Sequence, residues 1–294
     1  MAQPVGYSTD PPGRRSSSVI LIAPAKVNLS LRVVRRREDG FHEIETLMVP
    51  LSLHDTLEFT ECEAGGLAFT CSDPSLPSGP ENLVVRAVNE FTRHTGRAVN
   101  VSIHLRKEIP HGAGLGGGSS DAATTLLALD RIYETRLPHT ELAALAAAIG
   151  SDIPFFIYQS AAWCRGRGEL VSPCPFAEQL PLVLLKPEFG VPTPWAYSQW
   201  RDSLEIPGIP YVPQSFGWGE LVNDLERPVF QKYIQLAEMK RWLLAQVEVA
   251  GAIMSGSGST MLAVLRERAG GTALIEKARA QFGENLWAAA VMTA

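Results

Sequence analysis

The sequence feature that most constrains this chain is a glycine-rich segment, residues 110–122, which reads PHGAGLGGGSSDA. A strand-like apolar run over Val101–Leu105 precedes it, and an alanine- and leucine-rich helical pattern over Ser119–Tyr133 follows it. Glycine has no Cβ, so the backbone can take positive φ and approach a ligand closely. A loop that leads into a helix start directs free N–H groups and the positive end of the helix dipole at one point. The segment therefore predicts an anion site, and we expect a polyphosphate there.

Two better-known phosphate loops fit this segment less well. Gly112, Gly114 and Gly117 satisfy the G-x-G-x-x-G pattern of dinucleotide-binding proteins. However, six residues separate the strand from the first glycine, and the acidic candidates about 20 positions on, Asp130 and Glu134, lie within a helical pattern. No Lys-Ser or Lys-Thr pair follows the last glycine, as a Walker A loop requires. A nicotinamide oxidoreductase and a purely structural loop remain alternatives at this point.

Composition narrows the class of protein. The chain has 294 residues, 46% of them hydrophobic and 19% charged, which is typical of a folded protein with one large or two ordinary domains. The formal net charge of −5 argues against a protein whose main role is to bind nucleic acid. The basic run Arg35–Arg37 is interpreted as a solvated turn rather than an RNA-binding patch.

The same composition predicts a cytoplasmic protein. No apolar run approaches the ~20 residues of a membrane span. Residues 1–18 are rich in Pro, Gly, Ser and Arg without the apolar centre of a signal peptide, and we expect a disordered N-terminal extension there. The four cysteines lack metal-site spacing, and we expect reduced, mostly buried thiols.

Local patterns predict further elements around the glycine-rich segment. Strands are expected over residues 43–53 and 56–59, joined by a turn at His54–Asp55. Thr140 is expected to cap a helix. A proline-rich loop is predicted over 200–217, and a single helix over 228–246.

Four stretches carry a resemblance to a known family. Ala23–Leu31 (APAKVNLSL) runs on to Asp39–Thr46 (DGFHEIET), the glycine-rich segment and Gly150–Phe156 (GSDIPFF) follow, and Met254–Thr260 (MSGSGST) comes last. In this order they resemble the GHMP kinases, a family of small-molecule kinases unrelated to protein kinases. The resemblance covers about residues 19 to 266.

The resemblance implies an α+β, two-lobed fold. Residues 19–178 would form a nucleotide-binding N-terminal lobe of the ribosomal-protein-S5-domain-2-like type. Residues 179–294 would form a ferredoxin-like α/β C-terminal lobe.

The resemblance also assigns a catalytic pair. From the residues alone, Lys26 reads as a surface lysine, Asn28 as a turn asparagine, and Asp152 as either a turn-forming side chain or a functional acid. By resemblance, Asp152 is the catalytic base, Lys26 offsets charge on the transferred phosphoryl group, and Asn28 lies beside the acceptor hydroxyl. The joint presence of Lys26 and Asp152 argues against a non-catalytic nucleotide-binding protein.

The cofactor implied is ATP with Mg²⁺. Asn82, which from the residues alone is a helix cap, is placed near the adenine by the resemblance, and Lys107 is positioned to reach the nucleotide. Ser119 or Ser120 reaches a phosphate or Mg²⁺, and no dedicated set of metal ligands is predicted. The residues predicted to bind the nucleotide are Asn82, Lys107, Pro110, His111, Gly112, Ala113, Gly114, Leu115, Gly116, Gly117, Gly118, Ser119 and Ser120.

The acceptor implied is a small molecule, cytidylated methylerythritol. In kinases with this pattern, an aromatic side chain stacks on the cytosine and a histidine hydrogen-bonds it, which assigns these roles to Phe41 and His42. The family more often has Tyr at the position of Phe41. Tyr197 would close a sandwich on the base, and Thr193 faces the cytidine diphosphate. Kinases for homoserine or mevalonate remain alternatives, and the expected protein is a monomer or weak homodimer without nucleic-acid or membrane partners.

Overall fold

The computed structural model describes residues 18–62 and 65–294. The disordered extension predicted for residues 1–18 therefore lies outside the described residues, apart from Ser18.

The described residues form two β-sheets with helices packed against them. The strands are β1 Val19–Arg36, β2 His42–Glu61, β3 Leu67–Cys71, β4 Val101–Arg106, β5 Ala162–Gly166, β6 Leu170–Pro173, β7 Pro181–Lys186, β8 Gln214–Phe216, β9 Gly219–Asn223, β10 Val249–Met254, β11 Met261–Leu265 and β12 Trp287–Met292. The helices are α1 Leu83–Thr95, α2 Gly117–Ile132, α3 His139–Ile149, α4 Ile153–Ile157, α5 Thr193–Gln199, α6 Glu226–Lys232, α7 Ile234–Leu244 and α8 Gly271–Phe282.

The first sheet is built on a long antiparallel hairpin of β1 and β2. Its strand order is β3-β4-β2-β1-β9-β8, and β5 and β6 extend it beside β2. The turn predicted at His54–Asp55 is wrong, because β2 runs through it. Asp55 is fully buried, and its carboxylate accepts the backbone N–H groups of Glu108 (2.6 Å) and Ile109 (2.9 Å). A polar residue can therefore stay inside the strand.

Strand β1 is also continuous, although it contains a proline. Pro24 pairs opposite His54, and register shifts between Pro24 and Lys26 and between Asn28 and Ser30 keep the strand paired with β2. Such irregularities bend a strand and redirect its side chains. The polar residues Lys26 and Asn28 thus lie in the middle of a buried strand.

Helices α1 to α4 cover one face of the first sheet. Their apolar side chains share a core with those of β2 and β4, including Phe59, Phe91, Ile103 and Phe155. Asn82 caps α1 as predicted, since its side chain accepts the N–H of Val84. The Thr140 cap is wrong: α3 begins at His139, directly after Pro138, and the φ of −57° at Pro138 already suits a helix start.

The second sheet is antiparallel with the order β10-β11-β7-β12. In chain order these strands are the second, third, first and fourth of the sheet, with α5 to α7 after the first and α8 before the last. This is the ferredoxin-like arrangement that the resemblance implied. One face packs on the first sheet through residues such as Leu182 and Ile253. The other face packs on helices through residues such as Val183 and Leu243.

Two details of this half of the chain differ from the predictions. The single helix expected over 228–246 is broken at Tyr233, whose φ of −111° and ψ of 69° are not helical, giving α6 and α7. Strand β8 forms inside the predicted loop and pairs with β9. Strand β9 in turn pairs in parallel with β1 at Ser30 and Leu31, so the chain returns to the first sheet after leaving it.

In the part of the chain that the structure describes, no helix combines the length and apolar character needed to cross a bilayer. All four cysteines are free thiols, and only Cys164 is buried. The expectation of mostly buried thiols is therefore wrong.

Candidate active site

The glycine-rich segment forms a tight loop at the start of α2. The helix begins at Gly117, two residues before the predicted start, after Gly116 at φ 72°. A Cβ on Gly116 would lie 2.8 Å from the Phe156 ring and 2.9 Å from Lys26 Cγ. Gly114, at φ 76°, would place a Cβ 2.6 Å from the Ser255 carbonyl oxygen. Both positions therefore require glycine, for backbone conformation and for space.

A second glycine turn, Met254–Thr260, packs against this loop. The hydroxyl of Ser255 donates to the carbonyl of Gly114 (3.2 Å), and the N–H of Thr260 donates to the carbonyl of Ala113 (3.2 Å). From the other side, the backbone N–H of Lys26 donates to the carbonyl of Leu115 (2.9 Å). The carbonyl groups of Ala113, Gly114 and Leu115 therefore all accept hydrogen bonds from other parts of the chain, which fixes the loop.

Lys26 and Asp152 meet beside this loop. Lys26 Nζ lies 3.5 Å from Asp152 Oδ2, and the exposed fractions of the two side chains are 4% and 37%. Lys26 Nζ also donates to Asn28 Oδ1 (2.7 Å), and Asn28 Nδ2 donates to Thr46 Oγ1 (2.7 Å). The lysine is therefore enclosed and held in place, while the carboxylate is open to a ligand.

The side chain of Asp152 does not cap the helix that it precedes. It directly precedes α4, but its side chain makes no capping hydrogen bond. A carboxylate that only formed the turn would be expected to accept a nearby N–H. Instead, the Asp152 carboxylate contacts the ammonium group of Lys26.

A cavity of about 1380 Å³ joins the loop, the lysine–aspartate pair and a cluster of aromatic side chains. It brings together all of the predicted catalytic and acceptor residues, with two glycines of the loop. Predicted residues that line it are Lys26, Asn28, Phe41, His42, Gly114, Gly116, Asp152, Thr193 and Tyr197.

Some of the aromatic side chains at one end of the cavity already stack on neighbouring side chains. Phe41 is 51% exposed, and the Arg167 guanidinium carbon lies 4.8 Å from the centre of its ring. Tyr197 stacks on His42 with ring centres 5.4 Å apart. Thr193 exchanges a 2.7 Å hydrogen bond with the hydroxyl of Ser257 in the second glycine turn. One exposed aromatic face is therefore available at Phe41, and an aromatic pair lines the same cavity.

Burial tunes two titratable groups at this end. Partial burial and the charge of Arg36 lower the pKa of His42, so its ring stays neutral at pH 7. Burial raises the pKa of the Tyr197 hydroxyl, and the carboxylate of Asp152 raises it further. Both rings therefore present neutral hydrogen-bonding groups.

Lys107 and Asn82 lie away from the cavity lining. Lys107 Nζ bonds Asp55 and also Asp121 Oδ2 (2.9 Å), the latter in the second turn of α2. Burial lowers the pKa of Lys107, but the two carboxylates outweigh it and the net shift is upward. Burial raises the pKa of Asp121 to about 7 against the attraction of Lys107. The cluster ties the stem of the loop to α2.

Two buried atoms at the start of α2 have no hydrogen-bond partner. They are Ser120 Oγ and Asp121 Oδ1. Buried polar atoms are normally paired, so atoms of this kind point to a group that binds there. Among the described residues, no cluster of three or more His, Cys, Asp or Glu side chains converges on a metal position.

Sequence reasoning missed several residues of the cavity. Trp200, Arg167, Arg36 and Ser257 all line it. The sequence predicts no role for Arg167, and it predicts Arg36 only as part of a solvated basic run. Arg36 lies only three residues before the Asp39-Gly40 turn that leads to Phe41, and this closeness in sequence was the available signal for it.

Comparisons with known proteins agree with this geometry. Residues 82–160 match the model of the GHMP kinases N terminal domain. The 4-diphosphocytidyl-2-C-methyl-D-erythritol kinase of Methylacidiphilum infernorum (isolate V4) is 38% identical over 275 residues, which cover 92% of this chain and 96% of that one. The chain belongs to the 4-diphosphocytidyl-2-C-methyl-D-erythritol kinase family.

Solved structures support the membership. A crystal structure of a 4-(cytidine 5'-diphospho)-2C-methyl-D-erythritol kinase matches with a TM-score of 0.77 and 37% identity, covering 94% of this chain and all of that chain. A mevalonate kinase matches with a TM-score of 0.68 at 14% identity, covering 94% of this chain and 100% of its own, which shows the shared fold.

Kinases of this family use ATP. The chain is an enzyme of this family and has the GHMP kinase fold. The oxidoreductase alternative is wrong, because the glycine-rich segment follows β4 in a mixed sheet, where β4 pairs antiparallel with β2. A dinucleotide-binding loop opens a unit of a parallel sheet instead.

Proposed function

We propose that this chain transfers the γ-phosphoryl group of ATP to the 2-hydroxyl of 4-diphosphocytidyl-2-C-methyl-D-erythritol, giving the 2-phosphate and ADP in isoprenoid precursor biosynthesis. The observation that carries the proposal is the contact of Lys26 with Asp152 in the same cavity as the glycine loop and Phe41. A phosphate loop alone would fit many proteins, whereas the loop, the acid–lysine pair and an aromatic platform together fit this reaction.

The glycine-rich segment binds the phosphates of ATP. Phosphoryl transfer depends mainly on positioning and on stabilising charge. The N–H groups at the start of α2 and the helix dipole supply that stabilisation. Pro110 to Ser120 form this binding loop, Asn82 lies toward the adenine, and Lys107 acts from the stem of the loop.

Asp152 is the general base. Its carboxylate takes the proton of the acceptor hydroxyl as the hydroxyl oxygen attacks the γ-phosphorus and the bond to ADP breaks. Lys26 offsets negative charge that develops on the transferred group. Asn28 holds Lys26 through the 2.7 Å hydrogen bond and contacts the acceptor beside it.

The cytidine end of the acceptor binds at the aromatic cluster. Phe41 stacks on the cytosine, and the neutral ring of His42 hydrogen-bonds its edge. Base–aromatic stacking contributes ~1–3 kcal/mol, while edge contacts choose the base. Tyr197 and Thr193 complete this end of the cavity next to the diphosphate.

Mg²⁺ fits the start of α2, where the buried Ser120 Oγ lacks a partner. Ser120, or Ser119 beside it, would hold the ion together with phosphate oxygens. When bound, Mg²⁺ neutralises charge on the triphosphate.

ADP release tests the proposal. Purified protein with ATP and Mg²⁺ is offered cytidylated methylerythritol, homoserine or mevalonate in separate coupled assays. We expect turnover with the cytidylated acceptor alone. Turnover with homoserine or mevalonate but not with the cytidylated compound would assign a different specificity to the same fold.

A further inference from the structure

A buried asparagine on the first sheet makes two hydrogen bonds to the backbone of the second glycine turn. Asn223, at the end of β9, is 5% exposed. Its Nδ2 donates to the carbonyl of Met254 (2.7 Å) and to the carbonyl of Gly256 (2.8 Å), and its Oδ1 accepts the N–H of Leu225 (2.9 Å). Both N–H bonds of one amide are therefore used on the backbone of the turn.

A second buried group fixes the neighbouring backbone. Glu226 Oε1 accepts the N–H of Met254 (2.9 Å), and its Oε2 accepts Lys240 Nζ (2.5 Å), with both side chains 2% exposed. Glu226 thus holds the entry to the turn. Among the described side chains, Asn223 is the one that bonds the backbone of Gly256, inside the turn.

The turn touches both halves of the reaction site. Ser255 bonds the carbonyl of Gly114 in the phosphate loop, and it also accepts the N–H of Asn28 at 3.4 Å. A Cβ on Gly256 would lie 3.2 Å from Asn28 Oδ1 and 3.6 Å from Lys26 Nζ. A shift of Gly256 by about 1 Å would therefore displace the groups that face the reacting atoms, and displacements of that size can cost roughly 10²-fold in rate.

We propose that Asn223 is a positioning residue for phosphoryl transfer, which acts through the second glycine turn on Lys26, Asn28 and the phosphate loop. The inference rests on the proposed kinase function. Asn223 is buried and does not line the cavity. Its effect is therefore expected on kcat, with little change in either KM.

The chain offers a matched control in Gln214. Its side-chain amide also makes two hydrogen bonds to β10, donating to the carbonyl of Ala252 (2.8 Å) and accepting the Ala252 N–H (3.0 Å). Ala252 lies two residues before the turn begins. Gln214→Leu therefore removes two side-chain hydrogen bonds to β10, one fewer than Asn223→Leu removes in all, without releasing the turn.

Three variants of Asn223 separate the roles of its atoms. Asn223→Leu removes all three hydrogen bonds. Asn223→Asp keeps an acceptor for Leu225 but sets a carboxylate against two carbonyl oxygens. Asn223→Ser removes the reach to the turn with little change in packing, and serves if the larger changes prevent folding.

The test measures kcat, both KM values and amide hydrogen exchange at pH 7. We expect each Asn223 variant to lower kcat by about 10- to 100-fold, while each KM changes by less than about 3-fold and Gln214→Leu keeps a normal kcat. Exchange should become faster at Ser255, Gly258 and Thr260 in the Asn223 variants only.

Two results would overturn the inference. One is an Asn223→Leu or Asn223→Ser protein whose kcat equals that of Gln214→Leu. The other is unchanged exchange across the second glycine turn. A wild-type protein that releases no ADP with any acceptor would instead refute the proposed function, and the exchange comparison would still decide whether Asn223 holds the turn.

Discussion

At the residue scale, the enclosed lysine and the open carboxylate have different tasks. Lys26 is buried between Asn28 and the loop, so its charge has a fixed position. We expect Asp152→Ala and Lys26→Ala each to reduce kcat by about 10²-fold or more while the protein stays folded. Steady-state kinetics with thermal melts check this. Near-normal turnover in both variants would remove the pair from the mechanism.

Phe41 offers an exposed ring face rather than a core contact. Phe41→Ala should raise KM for the cytidylated acceptor by about 5- to 150-fold, because base–aromatic stacking contributes ~1–3 kcal/mol. Phe41→Tyr keeps the ring and serves as the control. An unchanged kcat/KM in Phe41→Ala would show that the base binds elsewhere.

His42 makes a pH-dependent contribution to stability. Its pKa is lowered in the folded protein by burial and by Arg36, so the unfolded chain takes up a proton more readily below about pH 6.5. Stability therefore rises with pH across that value and falls as the pH drops through it. We expect a shallower loss in His42→Gln, measured by urea unfolding between about pH 5 and 7.5. Parallel curves for the two proteins would contradict the shift, since all other histidines are common to both.

Residues differ in how far the sequence reveals them. The resemblance named Lys26 and Asp152, and the structure places them in contact although 125 positions of chain separate the sites. The resemblance assigned no catalytic or binding role to Asn223. Its role depends on two backbone carbonyls of β10 and the turn, which only tertiary folding brings to it.

At the element scale, the glycine loop was predictable because its chemistry is local. Five glycines between a strand pattern and a helix pattern allow few conformations, and the loop lies where expected, with α2 starting two residues earlier than predicted. The long strands were not predictable in the same way. Pro24 and Asp55 are typical of turns, but strand pairing and the N–H groups of Glu108 and Ile109 keep them inside β1 and β2. Tertiary partners outweighed local preference there.

The close fit of the loop against the second glycine turn leads to a prediction at Gly114. Gly114→Ala combines a strained positive φ with a Cβ 2.6 Å from the Ser255 carbonyl, so it should raise KM for ATP by about 10-fold, equal to ~1.4 kcal/mol. Gly96→Ala is the control, because Gly96 also has positive φ (66°) but open space around it. It should lose about 1 kcal/mol of stability and keep its activity. Equal kinetics in the two variants would show that contact with the turn is unimportant.

At the scale of the whole molecule, the reaction site is assembled from widely separated segments. Lys26 comes from β1, Asp152 from the start of α4, and Ser257 from between two strands of the second sheet. The ferredoxin-like arrangement followed from the resemblance and is confirmed. The return of β9 to the first sheet did not, because a five-residue strand carries no local sign of its distant partner.

Residues of one chain supply the glycine loop, the acid–lysine pair and the aromatic cluster of the cavity, and a monomer or weak homodimer stays the prediction. Sedimentation at several protein concentrations measures this. We expect a monomer at low concentration with full specific activity. Activity that falls on dilution would show that a second copy contributes to the site.

The pairing of β9 with β1 has a consequence for biosynthesis. Ser30 and Leu31 leave the ribosome early, but their neighbours Val222 and Asn223 are added about 190 residues later. Until then the backbone N–H and C=O groups on this side of the nascent hairpin have no strand partner, which favours mispairing with other chains. The second glycine turn of the reaction site is added later still, so we expect a chain truncated before residue 223 to be inactive and prone to aggregate.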